Sequence, residues 1–183
     1  MLCPAPHGRK ERVKMNTKEA ILKRRSIRKF KSTPVPKELI SELLEAACAA
    51  PSACNKKPYA IYVITNEELL EKLNLSSRFT NMPSPLSIVV AADMERVLPR
   101  QYRDYWMQDC AAVTENILLM VTELGLGACW NGLYPNPAPT EHVRTALGLA
   151  ESIVPLALIR IGYPDEEREP NGGINESIVT YFE

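Results

Sequence analysis

The chain has 183 residues, 45% of them hydrophobic and 24% charged, a balance typical of one folded domain with a substantial core. Its 22 basic and 22 acidic residues cancel, so no net charge draws it toward nucleic acid or an anionic membrane. The five cysteines include no CxxC pair, which favours reduced thiols in a cytoplasmic protein. The two histidines have no second ligand at zinc spacing, which argues against a zinc site.

Residues 1–14 contain proline, glycine and basic residues but no apolar run. They therefore match neither a secretory signal nor a membrane-spanning segment, and no later stretch reaches membrane-spanning length. We expect residues 1–14 to be a disordered lead. We expect residues 15–183 to form a single domain that does not associate with membranes.

The first half of the chain alternates helical and extended patterns. Thr17 is the predicted N-cap of a short helix, and a second helix is predicted from about Lys37 to Ala50. Residues 59–64 are rich in β-branched and aromatic side chains, which predicts a buried strand. A short helix capped by Asn66 follows. Residues 76–85 have no period and are predicted to form a loop.

The longest predicted helix runs from about Tyr102 to Leu124, after a predicted strand over residues 87–92. Its apolar residues recur at steps of three and four, which is typical of a helix in a core or at a subunit interface. Gly125 ends this helix, as glycine commonly does. A further strand is predicted over residues 128–130.

The last third predicts a helix capped by Thr140, a strand over residues 153–161 and a final strand or extended tail at residues 177–181. Pro155 suggests that residues 153–161 form an edge strand or that the strand begins at this proline. Because two helices precede the first strand, strict βαβ alternation fails. The order therefore favours an α+β sandwich over a doubly wound sheet.

Six cations lie within residues 23–31, directly after the first predicted helix. A solvated face, a nucleic-acid patch and a localisation-like tract all fit this pattern. Nucleic acid is less favoured because no second basic stripe with interleaved aromatics exists. A phosphate site is a further interpretation, since Arg24, Arg25 and Ser26 supply enough charge-assisted donors for one phosphate.

Two further segments are candidates for contact with a flat ligand. The residues that follow the second helix are small or polar, which fits a planar ligand lying against backbone as well as an ordinary helix stop: Pro51, Ser52, Ala53 and Asn55. The glycines at 125 and 127 are not a dinucleotide fingerprint, since they lead from a helix into a strand. The candidates for ligand contact in this segment are the residues whose backbone N–H groups are available at a strand end: Trp130, Asn131 and Gly132. Cys54 and Cys129 lack a visible base, so we interpret them as packing residues.

Four segments, in order along residues 15–183, resemble the FMN-dependent nitroreductase family: RRSIRKF, APSACNKKPYAIYVIT, DCAAVTENILLMVTELGLGACWNGLYP and VPLALIRIGYPDEEREP. The resemblance implies an α/β sandwich whose mostly antiparallel central sheet is flanked by helices. It also implies an intertwined homodimer with FMN at the interface. NADH or NADPH would reduce FMN, and a nitroaromatic, a quinone or a similar small acceptor would then be reduced in a ping-pong hydride transfer.

The same resemblance implies roles for the candidate residues. Arg24, Arg25 and Ser26 would hold the phosphate and ribityl end of FMN, and Arg28 would approach the N1/O2 edge of its ring. The partner subunit would supply four residues: Pro51, Ser52, Ala53 and Asn55. Trp130 would also belong to the cofactor site, and the backbone at Asn131 and Gly132 would face N5 and O4. The long helix would form the core of the dimer.

The chain departs from the family pattern at two places that bear on function. Lys57 stands where many members carry glutamine. A C-terminal arginine that binds phosphate in many members is replaced by Gly173. The second departure leaves open a flavin-binding protein, a sink or sensor, without reductase turnover. Related enzymes that act on the flavin itself, or on iodinated or thiazoline substrates, usually carry added lids or domains, for which 183 residues leave little room.

Overall fold

The computed structural model describes residues 15–170 and 172–182, and the expected disordered lead at residues 1–14 lies outside this range. Among the described residues the chain forms one four-stranded sheet and five α-helices. The strands are β1 (Tyr59–Ile64), β2 (Leu86–Asp93), β3 (Gly127–Gly132) and β4 (Ile153–Gly162). The helices are α1 (Thr17–Lys23), α2 (Lys37–Cys48), α3 (Glu67–Asn74), α4 (Tyr105–Glu123) and α5 (Pro137–Ala146).

The sheet has the strand order β1-β2-β4-β3, and every neighbouring pair of strands is antiparallel. This arrangement confirms the predicted α+β class, because βαβ crossovers would have produced parallel neighbours. β2 and β4 are the central strands. β1 and β3 are the edges, so each of them has backbone groups that no neighbouring strand of this sheet pairs.

Helices cover both faces of the sheet. The side chains of β2 alternate between two apolar clusters: Leu86, Ile88 and Val90 pack with residues of α2 and α4, whereas Val89 and Ala91 pack with residues of α3 and α5. This alternation follows from the two-residue period of a strand. The molecule therefore has three layers, and the buried faces of the sheet are closed to ligands.

The expectation that Pro155 marks an edge strand or begins its strand is wrong. Pro155 is the third residue of β4, a central strand. The ladder shifts at this place, since Val90 pairs with Ala157 and Ala91 pairs with Pro155, which leaves Leu156 unpaired. Such a bulge accommodates a residue that has no N–H to donate.

Two helices are capped by residues that precede those predicted to cap them. The N-cap of α1 is Asn16 rather than Thr17, and it forms a reciprocal capping box with Glu19, with N–H to oxygen distances of 3.0 and 3.1 Å. The N-cap of α5 is Asn136, and Thr140 lies in the first turn, where its hydroxyl donates to the Asn136 carbonyl. Both differences arise because two polar residues compete for each helix start.

Three predicted ends also differ from the structure. α2 ends at Cys48 rather than Ala50. α4 begins at Tyr105, because a separate 3-10 helix occupies Arg100–Tyr102 just before it. Residues 177–181, predicted as a final strand or extended tail, form no strand: a short 3-10 helix occupies Glu176–Ile178, and the backbone is extended at Val179 after it.

α4 is the longest helix, and its buried face lies in the core of the chain. Val113, Ile117 and Val121 are buried beneath the sheet, whereas Ala111 and Glu115 are only half-buried. The helix was predicted to lie in a core or at a subunit interface, and this location confirms the first alternative. No helix among the described residues, α4 included, is both long enough and apolar enough to cross a membrane.

Candidate functional site

A polar cleft of about 210 Å³ opens beside the segment that follows α1. Four of its lining residues are the predicted Arg24, Arg25, Ser26 and Arg28. The fifth is Arg168, which lies beyond the end of β4. Four guanidinium groups around one small cleft favour an anion with several acceptor oxygens, such as phosphate.

The edge of β3 holds this basic segment in place. The Ile27 N–H donates to the Ala128 carbonyl at 2.9 Å, and Ser26 forms a parallel bridge with Ala128. Gly127 permits the close approach, because a Cβ there would lie only 2.8 Å from the Cβ of Ile27. The arginines are therefore attached to the sheet rather than carried on a free surface loop.

Glu166 joins the two parts of the cleft. Its Oε1 accepts from the backbone N–H groups of Arg28 at 2.6 Å and Lys29 at 3.2 Å. Its Oε2 accepts from Nη2 and Nε of Arg168 at 2.7 and 3.1 Å. These donors, the Arg28 N–H foremost, lower the pKa of the Glu166 carboxyl. The carboxylate therefore orients Arg168 and forms no ion pair with the other guanidinium groups of the cleft.

A larger cavity of about 620 Å³ adjoins the cleft and shares Arg28 and Arg168 with it. The other residues that line it are Lys29, Glu166, Cys129, Trp130, Asn131, Gly132, Arg78, Phe79, Asn81 and Met82. Aromatic surface thus lies beside cationic groups. This combination suits a planar ligand with an anionic arm that extends into the cleft.

The backbone of β3 presents alternate N–H groups to this cavity. The Asn131 side chain donates to the carbonyl oxygens of Cys129 and Leu158 at 3.3 and 3.2 Å, so it serves the sheet. The Leu133 N–H donates across to β4 at 2.8 Å. Because directions alternate along a strand, the Gly132 N–H points to the open edge. Gly132 is therefore the better placed of the predicted backbone donors.

Neither cavity is lined by the candidate residues that follow α2, namely Pro51, Ser52, Ala53 and Asn55. The buried carboxylate of Asp109 on α4 holds this segment, accepting from the Ala53 N–H at 2.8 Å. The backbone φ is positive at Cys54 (51°), Asn55 (52°) and Lys57 (47°). Non-glycine residues rarely adopt this conformation. A fixed and strained segment thus lies apart from the basic cleft of its own chain.

The two cysteines assigned to packing differ in the structure. Cys129 is buried, which confirms the assignment, and burial raises the pKa of its thiol. Cys54 is exposed, so it does not pack in the core of this chain and the assignment is wrong there. Within the described residues, no group of three or more His, Cys, Asp or Glu side chains is placed to hold a metal ion.

Several residues that line these cavities are not among those predicted from the sequence. Arg168 and Glu166 lie in a run of charged residues that resembles an ordinary solvated turn, so no local signal distinguishes them. Arg78 and Phe79 lie in the loop to which no role was given. The sequence does contain one unusual residue that bears on the wall of the cavity: Arg160 is a charged residue within an otherwise apolar strand.

Comparison with known proteins identifies relatives of this chain. The model of the nitroreductase family matches residues 21–81 and 78–163. A protein of Methanothermobacter thermautotrophicus, whose name combines NADH dehydrogenase and NAD(P)H nitroreductase, is 39% identical over 157 residues, which cover 84% of this chain and 80% of that protein.

Two solved structures show the same fold. An FMN-dependent nitroreductase from Clostridium difficile superposes with a TM-score of 0.80 at 30% identity, covering 88% of this chain and 96% of that one. A protein of Desulfovibrio desulfuricans, described as a nitroreductase and crystallised in complex with FMN, gives a TM-score of 0.78 at 25% identity. The latter match covers 91% of this chain and 96% of that one.

The Glu166 carboxylate predicts a pH-dependent part of the stability. Its pKa is lowered in the folded chain from the ordinary 4.5, so its stabilising effect is present above that pH and is lost as the pH falls through the lowered value. The difference in urea midpoint between wild type and Glu166→Gln should therefore be largest near about pH 7 and should shrink toward about pH 3. Glu167→Gln, at the exposed neighbouring position, is the control. A difference that stays constant across this range would contradict the assigned role of the carboxylate.

Proposed function

Since the chain belongs to the nitroreductase family, we propose that it is an FMN-dependent oxidoreductase that uses NADH or NADPH to reduce small acceptors such as nitroaromatics and quinones. The observation that carries this proposal is the junction of a phosphate-sized basic cleft with a larger aromatic and cationic cavity beside the open edge of β3. FMN has the same two parts, an anionic phosphate arm and a flat ring.

The residues present fit this cofactor. Arg24, Arg25 and Ser26 would bind its phosphate and ribityl end through charge-assisted hydrogen bonds. Trp130 and the backbone at Asn131 and Gly132 would lie along its ring. When bound there, FMN would supply the hydride-transfer chemistry between NAD(P)H and the acceptor.

Arg28 is the residue that we expect to affect the chemistry most directly. Arg28 lines both the cleft and the larger cavity, so its guanidinium can lie beside the N1/O2 edge of the ring while the phosphate occupies the cleft. A fixed positive charge there stabilises the negative charge that two-electron reduction places on this edge. The Gly132 N–H, directed at the open edge of the sheet, would orient N5.

No acid or base of the protein is assigned to the hydride transfer. No histidine of the described part of the chain lines the larger cavity, and the raised pKa of Cys129 keeps its thiol protonated near neutral pH. Both oxygens of Glu166 are already hydrogen-bonded. A site that only binds and orients favours a ping-pong order, in which the nicotinamide and the acceptor use the same open cavity in turn.

Arg168 takes the place of the arginine that the family resemblance leads one to expect at Gly173. It lines the cleft beside Arg24 and Arg25, and the Glu166 carboxylate holds its guanidinium by two hydrogen bonds. A guanidinium fixed in this way loses less side-chain freedom when it binds phosphate. The chain would thus keep a C-terminal phosphate ligand, which weakens the case for a flavin sink or sensor.

The strained segment after α2 supports a homodimer. In its own chain this segment lines neither cavity, yet Asp109 holds it in a conformation that costs free energy. A second copy would place its segment, with Pro51, Ser52, Ala53 and Asn55, against the ring. The half-buried face of α4 is available to join the two chains.

The first experiment is an absorbance spectrum of the purified protein with FMN, followed by anaerobic NADH or NADPH and then, after the nucleotide is removed, a nitroaromatic or a quinone. We expect flavin bands that bleach with the nucleotide alone and return with the acceptor. Bands that persist would favour the flavin-binding role without turnover. Absence of flavin uptake would contradict the proposed function altogether.

The role of Arg168 predicts a difference between FMN and riboflavin, which lacks the phosphate. Arg168→Ala should weaken FMN binding about tenfold, the effect of losing one charge-assisted contact, and should change riboflavin binding less than about twofold. Equilibrium titration measures both affinities. Arg144→Ala, which breaks an arginine–glutamate pair on α5, is the matched control. Equal losses for the two ligands would remove Arg168 from the phosphate site.

The shared site predicts that the FMN-loaded protein is a dimer in solution. Light scattering or sedimentation should give twice the chain mass of 20.5 kDa. A single-chain mass for protein that retains FMN would show that one chain completes the site alone. The assignment of Pro51, Ser52, Ala53 and Asn55 to the neighbouring subunit would then be wrong.

A further inference from the structure

Arg160 is a fully buried arginine in the middle of β4. None of the ion pairs among residues 15–170 and 172–182 includes it, and its Nε has no hydrogen-bond partner. Burial lowers its pKa to about 10, so the guanidinium stays charged at neutral pH. A buried charge without a carboxylate partner carries a desolvation cost that its hydrogen bonds offset only in part.

Two of its three hydrogen bonds hold one surface segment. Nη1 donates to the hydroxyl of Ser87 on β2 at 2.9 Å. Nη2 donates to the Asn74 side chain at 2.8 Å and to the Thr80 carbonyl at 3.1 Å. Asn74 ends α3, and Thr80 lies in the irregular chain that follows it. Arg160 thus fastens residues 74–80 to the centre of the sheet.

This segment presents Arg78 and Phe79 to the larger cavity. Thr80 is buried and faces inward, whereas Arg78 and Phe79 are exposed and line the cavity. The Arg78 guanidinium lies 4.6 Å from the centre of the Phe79 ring, a cation–π arrangement that orients it.

Arg78 differs in its partners from two other arginines of the site, Arg24 and Arg168. Among the described residues no ion pair includes it, whereas Arg168 is paired with Glu166 and Arg24 with Glu115. Among the described residues, Glu166 is the one acidic residue that lines the larger cavity, and both its oxygens accept hydrogen bonds. The cation at position 78 therefore has its charge available to a ligand.

We propose that residues 76–82, fastened from beneath by Arg160, form the acceptor-selecting element of the site, and that Arg78 selects acceptors with an anionic group on an aromatic ring. This inference rests on the proposed oxidoreductase function. Phe79 and Trp130 supply aromatic surface for such a ring, and Arg78 supplies the charge for its carboxylate or sulfonate. Arg160 is a positioning residue in this scheme, because it acts through the segment it holds.

The selectivity is tested with two acceptors that share a ring and a nitro group, 4-nitrobenzoate and 4-nitrobenzamide. In Arg78→Gln, kcat/KM should fall about tenfold for the anion, mainly through KM, and less than about twofold for the amide. Arg103→Gln, at an exposed position outside the cavity, is the control. Equal losses for the two acceptors, or no loss for the anion, would overturn the proposal.

A binding measurement separates this inference from the proposed function. The affinities of benzoate and benzamide, which carry no nitro group to be reduced, are measured by calorimetry on the FMN-loaded protein. Wild type should prefer benzoate, and Arg78→Gln should lose that preference without a change in FMN affinity. Retained preference in the variant would contradict the role of Arg78 even if neither nitro compound is turned over. Failure of the oxidoreductase function would instead appear as flavin bands that NADH and NADPH do not bleach.

The anchoring is tested at the partners of Arg160, since Arg160→Met removes a buried residue and can prevent folding. Asn74→Ala removes an acceptor on the surface segment, and Ser87→Ala removes the acceptor on the sheet. Trypsin cleavage after Arg78, followed by mass spectrometry, should become about fivefold faster in Asn74→Ala and less than about twofold faster in Ser87→Ala. KM for 4-nitrobenzoate should rise only in Asn74→Ala. The same cleavage rate in both variants would overturn the anchoring role.

Discussion

The covering of both faces of the sheet is the constraint on which the site depends. Every residue from Leu86 to Ala92 is buried, because α2 and α4 pack on one face and α3 and α5 on the other. A ligand therefore cannot reach a face of the sheet, and an edge is the remaining place for it. At the edge formed by β3, backbone groups are free to bind, first the segment around Ile27 and then, at Gly132, a ligand.

That edge is also where distant charges meet. The basic segment is attached to β3 through Ile27, and Glu166 reaches back across 138 residues to the Arg28 N–H. The carboxylate thereby joins two parts of the chain that each carry arginines. Like charges in one cleft repel one another, so the carboxylate that orients Arg168, together with Glu115 beside Arg24, helps the cluster to persist until an anion binds.

The buried guanidinium of Arg160 shows how the interior of the sheet affects the surface. An apolar residue would fill the same space without the desolvation cost of a charge. The arginine differs in that it satisfies the Thr80 carbonyl and the Asn74 side chain, which would otherwise be free to move with the segment that bears them. The buried charge thus lowers stability but fixes the position of a cavity wall. Functional sites commonly depart from optimal packing in this way.

The sequence by itself determined the α+β class, the approximate bounds of nearly all the helices and strands, and the basic segment as a candidate phosphate site. These features depend on neighbours in the chain, on hydrophobic period and on polar residues at helix starts. Only the tertiary structure decided that Arg168 joins Arg24 and Arg25, and that the Asn131 side chain turns into the sheet. The central position of β4 likewise could not be predicted from the sequence, because strand order depends on pairing between distant parts of the chain. A charged run or a proline looks the same in the sequence wherever the fold places it, since its partners are set by contacts between residues far apart in the chain.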